Sequence, residues 1–448
     1  MRLVIVGGGG FRVPLVYRAL STGRYAGLID SVVLHDIDLP RLRAIEAVLA
    51  AMPLEGPPLT LSTELKDALP GADVVFAATR VGGTAGRVID ERIALDLGLL
   101  GQETTGAGGL SYALRSIPYM LELAAMMQKH CPDAWLINFT NPAGMVTQAL
   151  QSVLGRKVIG ICDSPIGLVR RAAQAAGAPL SSGSLRGVDY LGLNHLGWLR
   201  GLEYDGVDRL PGLLASPERL AGFEEGRLFG PDFLRTLGAV PNEYLFYYYR
   251  RAEAIDSIRA AEQTRGESIA EAQGRSYPEL QGPEAFQRWE AARLEREEGY
   301  LAEARSAPDG NQEDRDEADL AGGGYEEVAL AAMTALLTGE RTELILNVPN
   351  GGSIAALPHD AVIEVPSSVD ASGAQPLPVQ SPPTLHQLGL MAQLKAVETA
   401  VVRAVLEGDR DQALLAFALH PLVADEQLAR QLLKGYEAAF PALSTLWR

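Results

Sequence analysis

The sequence predicts an α/β protein: a doubly wound parallel sheet first, then a mixed α+β half. Two observations predict the sheet. Short apolar runs alternate with helix-patterned segments through about residue 165, and the first run, Leu3-Val-Ile-Val6, passes straight into Gly7-Gly-Gly-Gly10. Strands that alternate with helices return through crossovers, so they lie parallel with helices on both faces. A third observation predicts the second half: beyond residue 185 the alternation gives way to aromatic-rich and charged stretches.

Each element follows in order. Leu3–Val6 reads as a strand, and Val13–Leu20 as the helix after the glycine turn. Val32–Asp36 is a second strand ending in an acid, Leu59–Ser62 a third, and Ala72–Ala78 a fourth rich in β-formers. Tyr112–Lys129 has helical periodicity. Ala134–Phe139 is a strand, Thr140-Asn-Pro-Ala143 opens a helix, and Lys157–Ile161 is the next strand. Residues 1–185 are expected to form one domain and 186–448 a second. In the second, Tyr190–Arg200 and Glu243–Arg251 are aromatic-rich, Glu253–Arg305 is charged and helical, and Ser306–Gly324 reads as an acidic, glycine-rich loop. Glu326–Thr338 is an amphipathic helix whose Val328, Leu330 and Met333 are expected to supply contact surface for another copy. Leu344–Asn347 and Ala361–Val365 are short strands, and Leu388–Glu407 and Asp411–Leu419 are helices.

Composition excludes some functions. A net charge of −17 over 448 residues argues against nucleic-acid binding, which depends on neutralising phosphates, and against docking on an anionic membrane. Anionic small substrates need only a few local basic groups. The two cysteines, Cys131 and Cys162, make no disulfide framework and fit a reducing compartment. Arg2–Val6 is too short for a signal-peptide core, and no run approaches the ~18 apolar residues of a spanning helix. A cytoplasmic protein is expected.

Gly7-x-Gly9, with Gly10 beside it, follows a strand, and Asp36 ends the next. Such glycines allow a tight turn and close approach to a pyrophosphate, which then meets the N-terminus of the following helix. Asp36 in that role binds ribose hydroxyls and favours NAD over NADP. Arg12 stands where a third glycine is usual, and a ligand-free glycine turn is the plain alternative. The expected class is Rossmann-like, of the lactate and malate dehydrogenase type. Asp73–Arg80 and Asn138–Pro142 would end at the same carboxyl edge, where ligands sit.

Cys162 falls at that edge too, and His195 lies in Gly192-Leu-Asn-His-Leu-Gly-Trp198. Thiolate plus imidazole suits a divalent transition metal. From residue chemistry alone, a small buried hydrophobe is the commoner fate of such a cysteine, and a hydrogen-bonded core residue that of such a histidine.

Several segments together resemble glycoside hydrolase family 4. They are Gly7–Gly10 with Asp36, Arg80-Val-Gly-Gly83, Arg87-Val-Ile-Asp-Glu-Arg92, Gly101-Gln-Glu-Thr-Thr-Gly106 and Asn138-Phe-Thr-Asn-Pro-Ala143. Gly160-Ile-Cys-Asp163, Gly192-Leu-Asn-His195, Leu346-Asn-Val348 and His420-Pro-Leu-Val423 complete the set, so the likeness runs nearly end to end. It implies a glycosidase that uses NAD and a divalent metal, usually Mn2+, outside the two-carboxylate chemistry of most glycosidases. In that chemistry sugar carbon 3 is oxidised, a base takes the carbon-2 proton, the aglycone leaves, water adds and the hydride returns.

The resemblance implies roles residue by residue. Cys162 and His195 match metal ligands, Asp163 the acid that protonates the leaving oxygen, and Tyr244 the base, with Tyr247 second. Gly7, Gly9, Gly10, Asp36 and Arg80 fall to the cofactor. Arg87 and Asn141 fall to the sugar, and Arg265 to a substrate phosphate, which arginine grips bidentately. Plainer readings stand beside these: a helix N-cap for Asp163, core packing for the tyrosines, solvated positions for Arg87 and Arg265. Phe11 and Arg12 replace a Ser or Thr and a Tyr common in the family, Asp163 is closer to the α-glucosidase arrangement, and Ala321–Gly324 lacks an arginine often found there. The expected substrate is a 6-phospho-β-glucoside, with 6-phospho-α-glucosides or unphosphorylated α-glycosides as alternatives. The expected assembly is a homodimer or homotetramer. A 2-hydroxyacid dehydrogenase fits the same strand order but has no use for Cys162 or the long second half.

Overall fold

The structure is a computed structural model that describes residues 1–299 and 324–447. Its parallel strands are β1 (Arg2–Val6), β2 (Ser31–His35), β3 (Leu59–Ser62), β4 (Val74–Ala77), β5 (Trp135–Asn138) and β6 (Val158–Gly160). They lie in the order β3-β2-β1-β4-β5-β6, a Rossmann-like sheet whose direction of winding reverses between β1 and β4. Leu3, Val4, Ile5 and Val6 are all buried, as expected of a strand covered by helices on both faces. The helices are Val13–Ser21, Leu39–Ala50, Gly83–Asp96, Ala107–His130, Ala143–Leu154 and Ser164–Ala176.

The second half extends the same sheet. Its strands are β7 (Val188–Leu193), β8 (Leu196–Tyr204), β9 (Val207–Asp208), β10 (Val240–Pro241), β11 (Thr342–Pro349), β12 (Val362–Asp370) and β13 (Gly373–Pro376). They continue from β6 through β11, β12, β7 and β8 to β10, with β13 beside β12 and β9 beside β8. All of these pairings are antiparallel. β7 and β8 form a hairpin closed by Asn194 and His195, and His195 takes φ +63, a left-handed conformation uncommon outside glycine.

Two expectations need correction. Val328, Leu330 and Met333 are 3%, 0% and 0% exposed. They belong to the chain's own core, because the helix Tyr325–Thr338 lies between the helix Val13–Ser21 and strands β11 and β12, and they offer no surface to another copy. The helical stretch expected over Glu253–Arg305 is broken into Arg251–Ala260, Arg265–Glu279 and Ala285–Glu298. Thr264 starts the middle helix with a capping box, its hydroxyl accepting from Glu267 N–H while the Glu267 carboxylate accepts from Thr264 N–H. The end of that stretch and the expected loop up to residue 323 lie outside the described residues.

Candidate functional site

At the carboxyl edge of the parallel strands lies a cavity of about 880 Å³. Every residue singled out from the sequence lines it: Gly7, Gly9, Gly10, Asp36 and Arg80; Cys162, His195, Asp163 and Tyr244; Arg87, Asn141 and Arg265. They come from both halves of the chain and from positions as far apart as 7 and 265.

At one end the glycine turn meets Asp36. Gly7 has φ +90, and a Cβ there would sit 2.5 Å from the Ala78 carbonyl oxygen, so only glycine lets the loops after β1 and β4 approach. Gly9 N–H donates to Asp36 Oδ2 at 3.1 Å and Asp38 N–H to Oδ1 at 3.1 Å, which fixes the carboxylate at the end of β2. The Tyr277 hydroxyl donates to the Gly9 carbonyl at 2.7 Å, tying the helix Arg265–Glu279 to the turn. This cradle fits a dinucleotide: a bare backbone at a helix N-terminus, with an acceptor at the end of the next strand.

Cys162 and His195 reach the cavity from β6 and from the β7–β8 hairpin. Burial, Glu364 and Asp163 push the Cys162 thiol well above its ordinary range. Burial holds His195 near 3, hence as a neutral imidazole, and its buried Nδ1 has no hydrogen-bond partner. A neutral imidazole with an orphaned nitrogen in the same cavity as a thiol fits a soft-to-borderline divalent cation. Among the described residues no group of three or more Cys, His, Asp and Glu could hold a metal, so a cation here would take its remaining ligands from substrate or water. The Tyr244 ring stacks on His195, centroids 3.7 Å apart and planes 4° from parallel. Asn242 positions that tyrosine by accepting from Tyr244 N–H at 3.1 Å. Tyr247 also lines the cavity, its centroid 6.3 Å from that of Tyr244.

Asp163 stands at the N-cap of Ser164–Ala176 but makes no capping bond with its side chain. Its carboxylate instead faces Arg12 Nη1 at 3.5 Å, and Arg12 Nη2 lies 3.4 Å from Glu297. Burial raises the Asp163 carboxyl and Arg12 opposes that. Next to it the Ser164 hydroxyl donates to Glu243, whose carboxyl burial pushes up to about 8, and Arg171 pairs with the wholly buried Glu225.

Arginines gather in the same cavity. Arg87 is buried between Glu91 (2.7 Å) and Glu103 (2.8 Å), and Arg80 pairs with Glu103 and lies over the Tyr112 ring. Arg265 donates to the Arg296 carbonyl at 2.6 Å. Burial and the positive charges of Arg12, Arg87 and Arg265 lower the Arg296 guanidinium to about 9, a mark of four cations crowded together. Asn141 precedes a cis bond to Pro142. Asn138 turns away from the cavity: its amide donates to Thr140, Ala143 and Thr147 and ends β5.

Sequence reasoning missed Glu103, Glu243, Arg296 and Glu364. Glu103 sits inside the segment Gly101–Gly106, while Asn194 and Asn347, both bonded to Glu364, sit inside Gly192–His195 and Leu346–Val348. Glu364 itself is signalled only as a charge inside an otherwise apolar strand.

Comparison with known proteins agrees along the chain. The family model for "Family 4 glycosyl hydrolase" matches residues 2–178, and that for the family's C-terminal domain matches residues 190–423. A probable 6-phospho-beta-glucosidase of Bacillus subtilis is 32% identical over 86% of this chain and 82% of its own length. A maltose-6'-phosphate glucosidase of the same organism is 31% identical over 96% and 94%. The 6-phospho-beta glucosidase of Thermotoga maritima, solved with manganese, NAD+ and glucose-6-phosphate, superposes with a TM-score of 0.78 at 28% identity, over 99% of each chain.

Proposed function

The chain belongs to family 4 of the glycosyl hydrolases, and we propose that it hydrolyses 6-phosphorylated glucosides with NAD and a divalent cation, Mn2+, as its cofactors. The observation that carries this reading is the convergence of the glycine turn, the Cys162–His195 pair, Tyr244, Asp163 and the arginine cluster on one cavity. Bound there, NAD supplies reversible hydride uptake and the cation Lewis-acid polarisation of sugar oxygens.

The chain's own residues do the rest. Gly7, Gly9, Gly10, Asp36 and Arg80 would hold the dinucleotide, and Cys162 and His195 would hold the cation. Tyr244, stacked on His195, takes the proton from sugar carbon 2. Asp163, whose carboxyl burial raises toward the protonated form, gives its proton to the leaving oxygen. Asn141 and Arg87 orient the sugar. Arg265, with Arg12 and Arg296 beside it, takes the phosphate through charge-assisted hydrogen bonds. Residues 1–185 serve as the cofactor domain and 186–448 complete the metal and sugar sites. The reading extends to a homodimer or homotetramer in the cytoplasm, which the free thiols Cys131 and Cys162 favour.

The β-glucoside is the first substrate, supported by the Bacillus subtilis and Thermotoga maritima relatives. Asp163 in the cavity, together with the maltose-6'-phosphate relative, favours an α-glucoside as the second reading. A panel of α- and β-nitrophenyl glucosides, with and without a 6-phosphate, assayed with each cofactor omitted in turn, tests both. Nitrophenol release that requires both cofactors, with no net NADH, is expected. NADH accumulating from a 2-hydroxy acid would replace this reading with a dehydrogenase.

A further inference from the structure

Strand order places a buried acid between the carriers of Cys162 and His195. β6 leads to Cys162 and β7 to His195, with β11 and β12 between them. One row of residues crosses all four strands: Gly160 of β6 is opposite Asn347 of β11, Asn347 opposite Glu364 of β12, and Glu364 opposite Gly192 of β7.

Glu364 ties that row together. Its carboxylate accepts from Asn347 Nδ2 at 3.0 Å, Asn194 Nδ2 at 3.3 Å and the Tyr190 hydroxyl at 3.2 Å. Asn194 Oδ1 in turn accepts from Ala143 N–H at 3.0 Å, so the residue before His195 is held from both ends of its amide. That restrains the turn in which His195 adopts its left-handed φ. Glu364 is 1% exposed, lies behind the cavity wall rather than in its lining, and bonds among the described residues only to neutral donors. A buried carboxylate with no cationic partner is costly unless a cation comes to it.

We propose that Glu364 is the positioning residue and counter-charge of a divalent-cation site formed by Cys162 and His195. With Cys162 and His195 as its ligands, the site draws part of its hold on the cation from this outer carboxylate, which also orients the imidazole through Asn194. The proposal rests on the metal reading above, and its test separates the two. Mn2+ binding to the full-length protein is measured by electron paramagnetic resonance of the free ion, for wild type, Glu364→Gln and Glu364→Asp, with NAD titrated separately. Glu364→Gln is expected to raise the Mn2+ Kd about 10–100-fold while NAD binding is unchanged, and Glu364→Asp, which keeps the charge, to bind more tightly than Gln. Wild-type affinity in the Gln variant, or an Asp variant no better than Gln, overturns the proposal. Should the Gln variant not fold, the Asp variant carries the test alone: a Kd raised, but by less than about tenfold, supports the proposal, and an unchanged Kd or a greater loss overturns it. A wild-type protein that binds no Mn2+ refutes instead the metal reading on which the proposal stands.

Discussion

Glu364 also makes a prediction about the metal-free protein, in which its carboxyl faces only neutral donors. Burial raises that carboxyl from 4.5 to about 7. Between those values the folded state holds the proton that the unfolded chain releases, so folding takes up protons and stability falls as pH rises. The contribution is fully present below about pH 4.5, declines through the window, and is gone above about pH 7. Every tenfold gain in proton affinity on folding is worth about 1.4 kcal/mol, so the whole effect is ~3 kcal/mol. For a chain of 448 residues that corresponds to ~3 °C in Tm. Glu364→Gln keeps the shape and removes the titration, and subtracting its melting curve cancels the ionisable groups that do not interact with Glu364. Thermal unfolding of both proteins in chelator, from pH 5 to pH 8, should therefore show wild type losing ~3 °C relative to the variant. A difference that stays flat with pH, or grows in favour of wild type, would refute the burial argument, because it would mean that the folded protein already carries the carboxylate at its ordinary pKa.

Four further outcomes follow. Cys162→Ser should weaken Mn2+ binding by more than the ~10–100-fold of an outer-shell change and leave NAD affinity alone in calorimetry; equal Mn2+ affinity would remove Cys162 from the ligand set. Arg171→Met strands Glu225, 0% exposed, without its guanidinium, so unfolding in urea should show a loss of ~3–5 kcal/mol, and an unchanged midpoint would contradict the buried pair. Gly7→Ala forces a Cβ to 2.5 Å from the Ala78 oxygen at φ +90, so the loops must part at a cost of ~1–3 kcal/mol and nucleotide titration should show weakened NAD binding; wild-type affinity would argue against the cradle. Arg265→Ala should lower kcat/KM for a phosphorylated aryl glucoside by ~10–100-fold and barely affect an unphosphorylated one, while equal losses on both would end the phosphate role.

What the sequence discloses and what it conceals divide along one physical line. The strand ends were legible because the signals are local: an apolar run, then glycine, acid, cysteine or asparagine at its carboxyl end. Strand β3 falls at Leu59–Ser62, as expected, while the run expected over Ala72–Ala78 narrows to Val74–Ala77. The helix expected from Tyr112 begins at Ala107, because Gly108 and Gly109 serve close packing against the Gln102 and Thr104 carbonyls rather than a turn. Concealed were the partners. Arg12 meets Asp163 and Glu297 across 151 and 285 positions, and Tyr190 meets Glu364 across 174. No periodicity encodes such distances.

The same line explains why one cavity gathers residues from both halves. β11 and β12 read as two short strands of no fixed place, yet their insertion between β6 and β7 turns two separate structures into one sheet. The chemistry of each strand end is written beside it; the joining of the two halves is written in the antiparallel register of Asn347 on Gly160 and Glu364 on Gly192. That register depends on Gly160, where a Cβ would collide with Thr147 and approach Asn347 to 2.8 Å, so a side chain at this glycine should disturb the spacing of thiol and imidazole without touching either.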